Sequence, residues 1–204
     1  MSTSEMTTAE KPPYLGLLNA ISLAESSAGV YLRAWADATD DADLACTLRF
    51  VAARESSHGE VFCRRLNELG FEVMPKHDPA SEKRLAKLAN PKVCDLDKLP
   101  SRSEDAEDPF ADIRSQLAQG AFDPMTANLL TWYVAEEDDS GRRLREAYAG
   151  VRAKANGHAH NGHAHKGAAA ASVPSADAEA IMACMTAGFS RLEKSLEKLA
   201  KAVK

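Results

Sequence analysis

In three long stretches of this chain apolar side chains recur every three or four residues, and that spacing commits the chain to helices packed on one another. The first stretch runs from about Tyr14 to Ala38, after Pro12 and Pro13, and puts Leu18, Ile21, Ala28, Leu32 and Trp35 on one face. The second runs from about Ala42 to Leu69 with Leu44, Leu48, Val51, Phe62, Leu66 and Leu69, and Gly70 is placed to end it. The third runs from Pro124 to about Arg152 with Leu130, Val134, Gly141, Leu144 and Tyr148. Aromatic residues make up only 6% of the chain, while Ala, Leu, Glu and Lys are abundant, so helix is favoured over strand throughout.

The stripes are interrupted in a consistent way. Glu25 lies four residues after Ile21 and three before Ala28. Glu55 lies four after Val51, and His58 four before Phe62. Glu137 lies three after Val134 and four before Gly141. All four side chains therefore belong to core faces. A buried, unpaired carboxylate costs several kcal/mol. Three of them from three helices, with an inward histidine, call for a common neutraliser, and a divalent or trivalent cation is the economical one. Hard carboxylate oxygens with an imidazole suit iron or manganese, and zinc less well. The spacing matters because residues three apart share a helix face, so Glu55 and His58 can grip one site from a single rod. A buried polar cluster that shares protons without metal is the competing account. Glu136, Asp138 and Asp139 read as a solvated face, with Asp139 a substitute ligand only if it swings inward.

A weak internal echo accompanies the stripes. One constant offset superposes Leu48 on Leu130, Phe50 on Trp132, Ala53 on Ala135, Glu55 on Glu137 and Gly59 on Gly141, and it places Glu25 on Glu107. Such an echo is what a pair of related helical hairpins leaves behind. The stretch Ala53-Arg54-Glu55-Ser56-Ser57-His58-Gly59-Glu60, with Glu25 upstream, resembles the ferritin-like (rubrerythrin-type) superfamily over roughly Tyr14 to Arg152. The resemblance implies an all-α, ferritin-like four-helix bundle, with Glu25, Glu55, His58 and Glu137 at metal-ligand positions. It implies iron as the cofactor, with manganese or zinc as alternatives, as one or two ions, and ferroxidase or peroxidase-type activity as the chemistry. No residue is singled out as catalytic. Three departures qualify the match. Ser140 stands where the second Glu-x-x-His needs its histidine, Glu107 precedes Pro109 and so falls outside the helix that should present it, and no Cys-x-x-Cys is present. A single ion, an asymmetric pair or a vestigial site are all compatible with this. The alternative function is a non-catalytic helical scaffold acting through oligomerisation or partner binding.

The rest of the chain organises around that bundle. Phe71 to Asp108, rich in charge and proline, reads as a long connection with one short helix near Ser81 to Ala89. The remaining bundle helix is expected to start at Pro109, capped by Asp108, to carry Phe110, Ile113 and Leu117, and to end near Gly120. The bundle is bounded at residues 12–153. Residues 154–172, rich in Ala, Gly and His, read as a flexible linker in which His158, His160, His163 and His165 are weak, adaptable metal ligands at best. Residues 173–204 carry an a/d seam, Met182, Met185, Phe189, Leu192, Leu196, Leu199 and Val203. That seam would pair two chains in a homo-oligomer or dock on its own bundle.

A formal net charge of −5 excludes bulk attraction to nucleic acid or anionic membrane. The scattered cysteines Cys46, Cys63, Cys94 and Cys184 fit a reduced, cytoplasmic setting, with Cys46 and Cys63 as small buried hydrophobes on their helix. Met1 to Lys11 lacks the apolar core of a signal peptide, and no apolar run is expected to reach the ~20 residues of a membrane span.

Overall fold

The computed structural model of the chain describes residues 11–100 and 108–160, with side chains as far as residue 155. These residues form an all-α structure of six helices: α1 (Leu15–Ala38), α2 (Ala42–Glu68), α3 (Ser81–Leu88), α4 (Asp95–Lys98), α5 (Ala111–Ala118) and α6 (Pro124–His160). The three long helices coincide with the three apolar stripes. Glu107, the linker from residue 161 onward and the heptad segment 173–204 lie outside the described residues.

Local chemistry sets the helix ends. Asp41 caps α2, its Oδ1 accepting from the Asp43 and Leu44 amides. Gly70 ends α2 at φ 84°, a left-handed conformation that a side chain would oppose, and the Phe71 amide then reaches back to the Leu66 carbonyl. Asp123 caps α6 ahead of Pro124, accepting from the Met125 and Thr126 amides and from the Tyr14 hydroxyl and the Arg65 guanidinium. Burial works against the Asp123 carboxylate, but the bonds from Thr126, Tyr14 and Arg65 hold it well below the usual carboxylate range.

Two apolar clusters occupy opposite ends of the long helices. One joins Leu17, Leu18 and Ile21 of α1 to Phe62 and Leu66 of α2, Ile113 of α5, and Leu130, Tyr133 and Val134 of α6. The other joins Tyr31 and Trp35 of α1 to Leu44 and Leu48 of α2, Leu88 of α3, Leu99, and Val151 of α6. The order of these residues along each chain segment makes α2 antiparallel to both α1 and α6. It also leaves a middle layer, at Glu25, Glu55, His58 and Glu137, between the clusters.

The α1–α2 pair is drawn together in this middle layer by small residues. A Cβ built on Gly59 would stand 2.9 Å from the Ser26 amide nitrogen, and one on Gly29 would stand 3.1 Å from the Ala52 carbonyl oxygen. The Ser22 hydroxyl donates to the Gly59 carbonyl at 2.9 Å. Close backbone approach is what lets carboxylates from adjacent helices reach a common point.

The structure amends several expectations. The helix expected from Pro109 to Gly120 is the eight-residue α5, about 12 Å long, which packs on one end cluster and contributes nothing to the middle layer. The opposite end is covered by α3 and by α4, a turn of helix that no stripe announces. α6 continues to His160, into the segment read as linker from residue 154, because Ala, Lys and Arg in residues 152–155 sustain a helix. Cys46 is exposed because it lies opposite the α2 stripe, and Cys63, one residue after Phe62, is only partly buried on the flank of the stripe. α1 is long and apolar enough, at a mean hydropathy of 1.2 over its best window, to meet the bare criterion for a membrane span. Leu17, Leu18 and Ile21 pack in one cluster and Tyr31, Trp35 and Ala36 in the other, while Val30 is exposed.

Candidate metal centre

The middle layer holds the four residues the stripes single out. Glu25 comes from α1, Glu55 and His58 from α2, and Glu137 from α6, and all four are buried. One ligand atom from each lies within 4.8 Å of the others. His58 Nδ1 is 3.1 Å from Glu137 Oε1 and 3.8 Å from Glu55 Oε2. Buried polar atoms are normally hydrogen-bonded. Here Glu25 Oε2, Glu55 Oε2, His58 Nδ1 and Glu137 Oε1 have no hydrogen-bond partner. His58 Nδ1 and Glu137 Oε1 are thus close without being aligned on each other, as two ligands are when they share a third body.

The donor set fits a hard or borderline cation. Three carboxylates and one imidazole, each with one orphaned atom, come from three helices into one buried layer. Without a cation the layer resists ionisation. Burial, with the Glu55 carboxyl beside it, raises Glu25 well above its ordinary value. Burial pushes Glu55 up to about 8, the Glu25 carboxyl beside it opposing the shift and the nearby Glu137 carboxyl adding to it. For His58, burial disfavours the imidazolium, but Glu137 and Glu136 outweigh it and the net shift is upward. A metal entering this layer must therefore displace protons.

Residues around the four supply what the stripes do not announce. The Tyr133 hydroxyl donates to Glu25 Oε1 at 2.6 Å. Burial, and then the Glu25 and Glu137 carboxylates, raise the phenol well above its ordinary value, so it stays a donor. Tyr133 was legible in principle, because it lies three residues after Leu130 and four before Glu137 on the same face of α6. Glu136, read from sequence as solvated, instead reaches the imidazole, its Oε2 lying 2.9 Å from His58 Nε2. Arg54 lies across α2 and α6, donating to the Glu136 carbonyl, Asp139 Oδ2 and Ser140 Oγ. Nothing in an apolar period announces such a cross-helix contact.

Ser140 is buried, so the position where a second histidine would stand faces inward, and it is occupied by a bond from a guanidinium. Asp139 is held instead by Arg143, Arg142 and Arg54, which keep its carboxylate well below the usual range. Its place is therefore in a surface ion network, away from the ligand atoms. Asp138 pairs with Arg114 on the exposed side, as a solvated face requires.

Compared with family models, with curated proteins and with solved structures, the chain matches nothing.

Proposed function

We propose that this chain is a metal-binding protein of the ferritin-like, rubrerythrin-related kind, holding iron, or in its place manganese or zinc, through Glu25, Glu55, His58 and Glu137. The observation that carries the reading is that these four buried residues each have one polar atom without a hydrogen-bond partner, and that one ligand atom from each lies within 4.8 Å of the others. A single ion per chain is favoured over a pair, because the Ser140 position offers a hydroxyl bonded to Arg54 in place of an imidazole. Helices α1, α2 and α6 stand for three rods of the four-helix bundle, and the fourth side is built from short pieces.

An iron ion in this layer supplies one-electron exchange with O₂ or peroxide. The chain's own residues set the conditions for that chemistry. Glu25, Glu55 and Glu137 balance the cation's charge, His58 adds a neutral donor, and Tyr133 keeps the far oxygen of Glu25 engaged. The apolar clusters on either side exclude water from the layer.

The test is elemental analysis of purified protein, with chelator-competed titration of Fe(II), Mn(II) and Zn(II) into the metal-free form. About one ion per chain is expected, falling to background in Glu55→Ala and His58→Ala. Failure of all three metals to bind defeats the proposal.

A second reading has one observation in its favour. The Arg54–Ser140 bond puts a positive group beside the second half of the site, as expected of a scaffold whose metal centre has decayed. Under that reading the four ligand residues form a proton-sharing cluster, metal titration is silent, and Glu55→Gln is stabilising.

A further inference from the structure

We infer that Glu136 is the positioning residue that makes Nδ1 the metal-binding atom of His58, an inference that builds on the metal reading and has a readout of its own. The His58 side chain is fully buried and its ring is clamped on two sides. Trp132 meets it edge-on at 4.9 Å between centroids, and Tyr133 does so at 5.1 Å. The ring plane is therefore fixed, and what stays free is which nitrogen carries the proton.

Glu136 decides it. Its Oε2 lies 2.9 Å from His58 Nε2, and the Arg54 guanidinium stands 3.8 Å from that same oxygen, so the oxygen is placed to accept and Nε2 to donate. A neutral imidazole has one N–H. With the hydrogen on Nε2, the lone pair is on Nδ1, the atom that faces Glu137 Oε1 at 3.1 Å and Glu55 Oε2 at 3.8 Å. Consecutive helical residues diverge by about 100°, so Glu136 and Glu137 bracket the imidazole from its two edges. Glu137 enters the ligand layer, and Glu136 comes round the rim, where its side chain stays 30% exposed.

Glu136 is itself held at both ends by Arg54. The guanidinium donates from Nη1 to the Glu136 backbone oxygen at 3.0 Å, and its Nε lies 3.8 Å from the same Oε2 that faces His58. The result is a relay of fixed groups, Arg54 to Glu136 to His58 to the ligand layer. A carboxylate behind a ligating imidazole fixes its tautomer and raises its basicity, and removing such a partner commonly weakens metal binding by about 10- to 100-fold.

The experiment uses the full chain labelled with ¹⁵N-histidine, together with Glu136→Gln, which keeps an acceptor, and Glu136→Met, which keeps only the bulk. In metal-free wild type, above the pH at which His58 loses its proton, the ¹⁵N shifts should report hydrogen on Nε2. Co(II), titrated against a chelator, should bind Glu136→Met about 10- to 100-fold more weakly than wild type and Glu136→Gln within a few-fold of it. Hydrogen on Nδ1 in wild type, or wild-type Co(II) affinity in Glu136→Met, overturns the inference. Wild type that takes up neither Co(II) nor Fe(II), Mn(II) or Zn(II) sinks the metal reading, and the ¹⁵N shifts then still decide which nitrogen Glu136 makes the donor. The wild-type tautomer needs no variant to fold.

Discussion

Tyr133 and Glu25 meet in the interior, hydroxyl to Oε1 at 2.6 Å, from helices that run in the same direction. The ring of Tyr133 also packs edge-on against His58, Phe62 and Phe110, so it ties the ligand layer to one apolar cluster. Tyr133→Phe should preserve that packing and remove only the donor. Metal-free protein should lose about 1–3 kcal/mol in urea unfolding. Because the Tyr133 bond is what lowers the Glu25 pKa, the variant should also bind metal more weakly at neutral pH and recover affinity as pH rises. Unchanged unfolding and unchanged affinity would mean that the bond is idle.

The metal-free protein should be most stable on the acid side of neutrality. Glu55 has its ordinary value of 4.5 in the unfolded chain and about 8 in the folded one. Its folded pKa is raised, so its contribution is fully present below about 4.5 and is lost as pH rises through about 8. Glu25 and His58 shift in the same direction and act with the same sign. Asp123 shifts the opposite way, and its contribution is lost only when pH falls below the ordinary carboxylate range. Thermal melts of chelator-treated protein should therefore show Tm falling between about pH 5 and pH 9. Added metal should flatten or reverse that slope, because binding displaces the same protons. A metal-free Tm that climbs over this interval would contradict the protonation states assigned to the layer.

Gly59→Ala tests whether close helix approach builds the site. The new methyl would stand 2.9 Å from the Ser26 amide and 3.2 Å from the Ser22 carbonyl, both of them backbone atoms that cannot swing aside. α1 must then move away from α2, carrying Glu25 from Glu55 and His58. A loss of about 1–3 kcal/mol is expected, as for overpacked cores. Metal affinity should fall further than Gly16→Ala makes it fall, since a Cβ at Gly16 meets nothing within 4 Å. Equal effects of the two substitutions would assign the loss to helix propensity or unfolded-state entropy and not to spacing.

Ser140→His would complete a second Glu-x-x-His on paper. In this fold the imidazole would have to displace Arg54 from Ser140, where Nη1 lies 3.1 Å from the hydroxyl. The expectation is no gain in bound metal and a lower Tm, measured by elemental analysis and calorimetry. Arg54→Ala combined with Ser140→His removes the obstruction, and any added metal should show in the double variant alone. A second ion in Ser140→His by itself would return the site to a symmetric pair.

The inward placement of Glu25, Glu55, His58 and Glu137 was legible because burial imposes a period. A glutamate four residues beyond Ile21 or three beyond Val134 is inward by geometry, whatever the rest of the fold does. The echo between Glu55 and Glu137 had the same origin, and both carboxylates reach the middle layer. Glu136 and Arg54 were not legible, because their roles depend on how α2 and α6 are apposed, and long side chains cross between helices without leaving a period. The fourth wall was overstated for a related reason. Asp108, Pro109 and Gly120 are sound helix signals, with Gly120 at φ 67°, yet signals at helix ends say nothing about which part of a bundle a helix spans. α4 escaped notice because its placement comes from outside it, from the Trp35 indole donating to Asp95 at 2.7 Å.

The polar layer between the two apolar clusters also bears on how the chain holds together. Each long helix crosses from one oily end to the other through a belt of carboxylates. Folding cooperativity has to pass through that belt. Were the belt to ionise without a cation, repulsion would open a seam across the waist of the molecule, and each end could fray on its own. An ion bound there would act as a rivet, and amide exchange at the two ends would then become synchronous. The same four side chains would then decide whether this chain breathes as two pieces or unfolds as one.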